Sequence, residues 1–193
     1  FWAPKTLKTI KNAFVVPYPI NRADLTKGLG AGYLANRGKV SILFASRNDL
    51  VKGGAILIDA LELLPKNSKA NIRVEIFGFI PQTDLTHLPF LQLNGFVSKA
   101  ELKKAYQNSD ICIIPSFFDN SPNTVYEAMA QGKIVVASSV GGIPEIIGSK
   151  ENGFLFDSKD VNDLVEKLED AVKLVLKGEC QIMRVNARQR INT

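Results

Sequence analysis

Four side chains in two spaced pairs are where this sequence could do chemistry. Arg47 and Lys52 stand five residues apart in Ser46-Arg47-Asn48-Asp49-Leu50-Val51-Lys52-Gly53-Gly54. Two cations in a glycine-bearing loop that opens a helix suit a phosphate, because free backbone N–H groups converge there with the positive charge. A solvated loop with two surface cations fits that spacing about equally well. Asp119 and Glu127 are eight residues apart, with Asn120-Ser121-Pro122-Asn123 between them. Asp119 precedes a helix and Glu127 lies in its second turn, so the intervening N–H groups sit at the positive end of the helix dipole. A diphosphate on those N–H groups, with the carboxylates accepting from sugar or ribose hydroxyls, is one use of such a set. The plain alternative has Asp119 complementing the dipole and Glu127 solvated on the helix. Gly141-Gly142 permits a tight turn or a close backbone approach. Ser138 and Ser139 have no visible activating base, which disfavours a serine nucleophile.

Other chemistries are thinly supplied. His87 is the only histidine and lies in a loop-like Thr-His-Leu-Pro stretch, so a histidine metal cluster or a Ser-His-Asp triad is not expected. Cys112 falls in the apolar run Ile111-Cys112-Ile113-Ile114, where a small buried hydrophobe is the default, and Cys180 lies in a polar stretch. There is no C-x-x-C pair, hence no sign of a disulfide framework or a zinc knuckle. Neither G-x-G-x-x-G after a strand nor G-x-x-x-x-G-K-[ST] occurs, so any phosphate site is of another kind.

The elements that must position these residues are well marked. Across 193 residues, 46% are hydrophobic and 22% charged, which excludes disorder and suits one globular domain with a sizeable core. The net charge of +5 is uneven, +7 over residues 1–110 and −2 over the remainder. No dense Lys/Arg block with interleaved aromatics accompanies it, so no nucleic-acid partner is expected. No apolar run reaches the ~20 residues needed to span a bilayer. Lys5, Lys8, Lys11 and the prolines at 4, 17 and 19 interrupt any signal-peptide core. A cytoplasmic location is expected, with a peripheral position at the membrane as its variant.

Residues 1–38 read as a lead-in or interdomain connector, with one short strand at 13–16. From residue 39 strands and helices alternate. Strands are predicted over 39–45, 71–77, 91–93, 110–114, 134–137 and 154–156. Helices are predicted over 55–64, 98–108, 122–131, 144–147 and 158–177. Ser98 with Glu101 forms a capping box. Ser121, Pro122 and Gly132 suit N-cap, N1 and C′, Ser158 caps the last helix, and Gly178 ends it. The strands are continuous hydrophobic runs, the mark of a parallel sheet covered on both faces. The expected fold class is α/β, a doubly wound parallel sheet of Rossmann type over residues 39–178, followed by a polar basic tail over 179–193. Ligands of such sheets bind beyond the carboxyl ends of the strands. Glycine, charge and hydroxyl groups concentrate in the segments following each strand.

Those segments together resemble the C-terminal, donor-binding domain of GT-B retaining glycosyltransferases of the family 4, or group 1, type. The resemblance rests on Arg47…Lys52-Gly53-Gly54, Phe77-Gly78, Gly95-Phe96-Val97 and Pro115-Ser116…Asp119…Pro122-Asn123…Glu127-Ala128-Met129-Ala130…Gly132. It continues through Val135-Val136-Ala137-Ser138…Gly141-Gly142-Ile143-Pro144-Glu145 and Asn152-Gly153-Phe154-Leu155. It implies an E-x7-E pair in which the first carboxylate contacts sugar hydroxyls and the second contacts the ribose. Asp119 stands in the first place, one methylene shorter than Glu, and Glu127 in the second. It implies that Arg47 and Lys52 bind the donor diphosphate, beside Gly53 and Gly78. Backbone from Asn120 through Ser121, Pro122, Asn123 and Thr124 would hold the sugar and distal phosphate, and backbone at Phe96 and Val97 would border the base. The implied substrate is a nucleotide diphosphate sugar, with no cofactor and no required metal. The implied partners are an N-terminal Rossmann-like domain of the same protein and a glycan or membrane-borne acceptor. A chain opening on Phe1-Trp2 is accordingly expected to be one half of a two-domain enzyme, inactive alone. The alternative is a non-catalytic nucleotide-binding or interaction module on the same fold.

Overall fold

The structure is a computed structural model that describes residues 38–46, 49–78, 84–120, 122–148 and 150–192. The expected strand at 13–16 and nearly all of the connector lie outside these residues.

Six strands form one parallel sheet: β1 Val40–Ser46, β2 Ile72–Gly78, β3 Leu91–Leu93, β4 Ile111–Ile114, β5 Ile134–Ser138 and β6 Phe154–Phe156. Their order is β3-β2-β1-β4-β5-β6. β1 pairs with β2 from Val40↔Ile72 to Ser46↔Gly78, and with β4 through Ile42↔Ile111 and Leu43↔Cys112. The sheet is the doubly wound arrangement expected, with the order reversing between β1 and β4. β4 and β5 are buried throughout and β1 nearly so, which is why they read as unbroken apolar runs. β2 lies one strand from the edge, and its Ile72, Val74 and Ile76 alternate with more exposed Arg73 and Glu75.

The helices are α1 Asp49–Lys52, α2 Gly54–Leu63, α3 Lys66–Ala70, α4 Lys99–Asn108, α5 Asn123–Ala130, α6 Ile143–Ile146, α7 Val161–Leu176 and α8 Gln181–Asn192. Period-2 alternation sends neighbouring strand residues into two cores. On one face Ile42, Phe44, Val74 and Ile113 pack with Leu57 and Leu61 of α2 and Leu164, Leu168 and Val172 of α7. On the other, Leu43, Cys112, Ile114 and Val135 pack with Tyr106 of α4, Val125 and Met129 of α5, and Ala187 of α8.

Local chemistry sets the helix ends. Ser98 and Glu101 make the reciprocal capping box. α7 starts later than Ser158: Asp160 is its N-cap, and its carboxylate accepts from the Asn162 and Asp163 amides while Ser158 is buried. α5 begins at Asn123 with Pro122 in the N-cap place. The stretch expected as a polar basic tail carries α8. Cys180, Met183 and Ala187 recur at helical spacing and are buried, so Cys180 is a core residue despite its polar neighbours.

Candidate functional site

β1 and β4 lie side by side, but the helices that follow them cover opposite faces. The chain therefore leaves a crevice beyond their carboxyl ends. Two described segments meet there, α1 after β1 and residues 115–120 after β4.

Lys52 ends α1, and its Nζ donates to Asp119 Oδ2 at 2.5 Å. Asp119 is almost buried, at 7% exposure, whereas Lys52 keeps 35%. Backbone contacts set that pair. The Phe117 amide donates to Val51 O at 2.9 Å, tying α1 to the loop after β4. Gly53 caps α2 in the left-handed region, at φ 74°, and a Cβ there would stand 1.9 Å from Pro115 O. Only a residue without a side chain lets that corner lie on the β4 loop. Gly141 closes the opposite side in the same way: φ is 52°, and a Cβ would stand 1.9 Å from Asp119 O. The Gly142 amide donates to that same oxygen at 3.2 Å. Ser138 at the end of β5 is buried, and its Oγ donates to Ser116 O at 2.5 Å. Ser138 thus anchors the β4 loop and is no nucleophile. Asp119 is held at both ends, its carboxylate by Lys52 and its carbonyl by Gly142.

The other expected residues distribute around this pair. Pro122 is buried and Asn120 exposed, while Asn123 and Thr124 form the first turn of α5. Glu127 is exposed in the second turn. After burial and Cys112, its charge is a further influence that pushes the Tyr106 phenol of α4 up. Phe96 is exposed and Val97 half-buried in the segment after β3. Gly78 ends β2, and its amide donates to Gly95 O at 2.6 Å. Arg47 and Ser121 lie outside the described residues. Among the described residues no group of three or more His, Cys, Asp or Glu is placed to hold a metal ion. Nor is any helix there long and apolar enough to cross a membrane.

Residues 31–190 match the family described as Glycosyl transferases group 1. The chain belongs to that family. A protein of Methanocaldococcus jannaschii, named as an uncharacterized glycosyltransferase, is 28% identical over 170 residues, which are 86% of this chain and 45% of that protein. This group 1 chain spans between 26% and 45% of the length of the first curated relatives it matches. The solved C-terminal domain of a glycosyl transferase group 1 family protein (LpcC) from Francisella tularensis shares its fold. The TM-score is 0.72 at 21% identity, covering 90% of this chain and 97% of that one. Anabaena Alr3699/HepE, solved in complex with UDP-glucose, gives a TM-score of 0.64 at 23% identity, covering 89% of this chain and 50% of that one. At these identities the likeness to the solved proteins is one of fold, the Rossmann-like fold of GT-B glycosyltransferases.

Within the group 1 domain, sequence reasoning singled out Lys52 and Asp119 separately but not their contact. It also passed over Phe117 and Phe118, exposed large apolar side chains beside Asp119. Two phenylalanines inside an otherwise polar loop were the available signal. His87 pairs at 3.0 Å with Glu62, and both are well exposed. Burial pushes the Cys112 thiol up to about 12, so it is inert at neutral pH.

Proposed function

We propose that this domain binds the nucleotide-sugar donor of a retaining, metal-independent glycosyltransferase of the family 4 type. The observation that carries the reading is the Lys52–Asp119 pair, set in the β1/β4 crevice of a group 1 domain. Lys52, with Arg47, is assigned the donor diphosphate, and the first-turn amides of α5 add their partial positive charge. Asp119 is assigned the sugar hydroxyls and Glu127 the ribose. Backbone at Phe96 and Val97 borders the base.

The chemistry follows from where charge develops. As the bond from C1 of the sugar to the diphosphate oxygen breaks, its electron pair stays on the leaving phosphate. The acceptor hydroxyl oxygen forms the new bond to C1. Cations and amides aimed at that phosphate stabilise the transition state more than the ground state, and losing one such donor costs about 10²–10³ in rate. Ligand-free, Lys52 is neutralised by Asp119. A bound diphosphate draws the ammonium toward itself and leaves the carboxylate for a sugar hydroxyl, so one pair reads both sides of the sugar–phosphate bond.

The acceptor, whether glycan or membrane-borne, is assigned to a second domain of the whole protein, which acts in the cytoplasm. This domain alone then binds donor without turnover. Calorimetry with UDP, GDP, ADP and their sugars tests the reading, with uridine diphosphate first because a fold relative is solved with UDP-glucose. Binding of at least one of these, weakened by both Arg47→Ala and Glu127→Ala and indifferent to EDTA, is the expected result. Unchanged affinity in both variants would overturn the site assignment.

A further inference from the structure

The helix α6, Ile143–Ile146, is a single turn, too short to hold a position by its own hydrogen bonds. Its place is nonetheless critical to the site. Gly142, its N-cap, donates to Asp119 O, and Gly141 packs against the same carbonyl. Two side chains hold its far end from outside. Asn152 Nδ2 donates to Ile146 O at 3.1 Å. Arg190 of α8 donates from Nη2 to Glu145 O at 2.7 Å and from Nε to Ile146 O at 3.4 Å. Helix ends leave such carbonyls without partners of their own, and a guanidinium fork matches two adjacent ones.

The rest of α8 braces the neighbouring elements. Arg184 Nη2 donates to Asp110 Oδ1 at 3.1 Å, at the start of β4. Arg188 lies on the turn that ends α5: a Cβ at Gly132 would stand 2.7 Å from its Nε. Asn186 Nδ2 donates to Glu151 O at 2.9 Å, in the loop after α6. Tyr126 of α5 feels the junction too, since burial and then the charge of Glu145 push its phenol up while Arg190 opposes them. One helix therefore touches the start of β4, the turn that ends α5 and the far end of α6.

We propose that Arg190 is a positioning residue: by gripping the carbonyl end of α6 it fixes the Gly141–Gly142 turn on Asp119, and so sets the Asp119 carboxylate against Lys52. The structural half of this stands on the contacts alone; its consequence for donor affinity rests on the function proposed above.

The test uses the full 193-residue chain with Arg190→Ala and Arg190→Lys, at a temperature where all forms are folded. Amide hydrogen exchange of ligand-free protein is read at Gly142, with Val136 and Ile113 of the sheet as internal references. Arg190→Ala is expected to speed exchange at Gly142 about tenfold while leaving the references unchanged. It is expected to weaken UDP binding about fivefold, within the range by which mutations along a coupled network act. Lysine reaches one carbonyl where arginine reaches two, so Arg190→Lys should recover part of each effect. Unchanged exchange at Gly142 would overturn the proposal, as would acceleration shared by Val136 and Ile113, which would report general loosening. Faster exchange at Gly142 with wild-type UDP affinity would overturn the link to the donor. If the wild-type chain binds no nucleoside diphosphate, the donor reading fails, and exchange at Gly142 still decides whether Arg190 positions the turn.

Discussion

Asp110 and Asp119 stand at opposite ends of β4, each paired with a cation, and the two pairs differ in kind. Asp110 precedes the strand with its side chain only 2% exposed, and Arg184 is 11% exposed. Its second oxygen accepts from the Ser41 amide at 3.1 Å. Every direction around that carboxylate is occupied by protein. Asp119 follows the strand and is nearly as buried, but its partner Lys52 retains a third of its exposure. The exposure of the cation, more than that of the acid, separates a structural pair from one that a ligand can enter. A parallel sheet sorts them in this way because the carboxyl ends of its strands open into the crevice, while α8 covers the start of β4.

Breaking each pair should therefore move different measurements. The largest effect is expected from Asp110→Ala, which strands Arg184 in a buried site. Removing one partner of such a pair costs about 3–5 kcal/mol, read as a lower urea midpoint. Nucleotide affinity should be unchanged in the fraction that stays folded. Asp110→Asn, which can still accept from Ser41, should lose less. Lys52→Ala should show the opposite balance. Partly exposed pairs contribute at most about 1 kcal/mol to stability. Affinity for a nucleoside diphosphate should fall at least tenfold, or about 1.4 kcal/mol. A Lys52→Ala variant with lowered stability and unaltered affinity would erase the distinction between the two ends of β4.

Much of this arrangement was legible from the chain, for reasons that also mark where legibility stops. The strands over Val40–Ser46, Ile111–Ile114 and Ile134–Ser138 announce themselves because residues buried on both sides must all be small or apolar. Ser98 with Glu101 predicts a helix start because the capping box is local. The single turns α1 and α3 have no period to detect. α8 hides for another reason. Its buried residues are Met183 and Ala187, with Cys180 just before it, and its remaining anchors are arginines, which in sequence look like a solvated tail. Both Lys52 and Asp119 could be picked out by type and spacing. Their contact spans 67 positions and exists only because the sheet order seats β4 beside β1. In the same way Gly53 and Gly141 are recognisable as turn residues, while the backbone each must clear is fixed by the assembled sheet.

The smallest expected effect sharpens the description of the covered end. Lys133 immediately precedes β5, and its ammonium donates to Gln107 O at 3.0 Å and Ser109 O at 2.9 Å. Burial pulls its pKa down from 10.5 to about 8; Cys112 and Asp110 oppose that shift, and Arg184 and Arg188 add to it. The unfolded chain keeps the proton up to the ordinary lysine value, whereas the folded chain releases it near 8. Between those limits the unfolded state binds more protons, so this group makes stability rise with pH, by about 1 kcal/mol between pH 8 and pH 9. Lys133→Met deletes that contribution. It also leaves two carbonyls without their donor, a cost of about 1–3 kcal/mol for each that stays buried and unsatisfied. That cost is the same at every pH, so the slope separates it from titration. Urea unfolding of wild type and variant at pH 8 and pH 9 should show their stability difference widening by about 1 kcal/mol in favour of wild type. Parallel profiles would mean that water reaches Lys133, and that this end of the sheet is less closed than the Asp110–Arg184 pair implies.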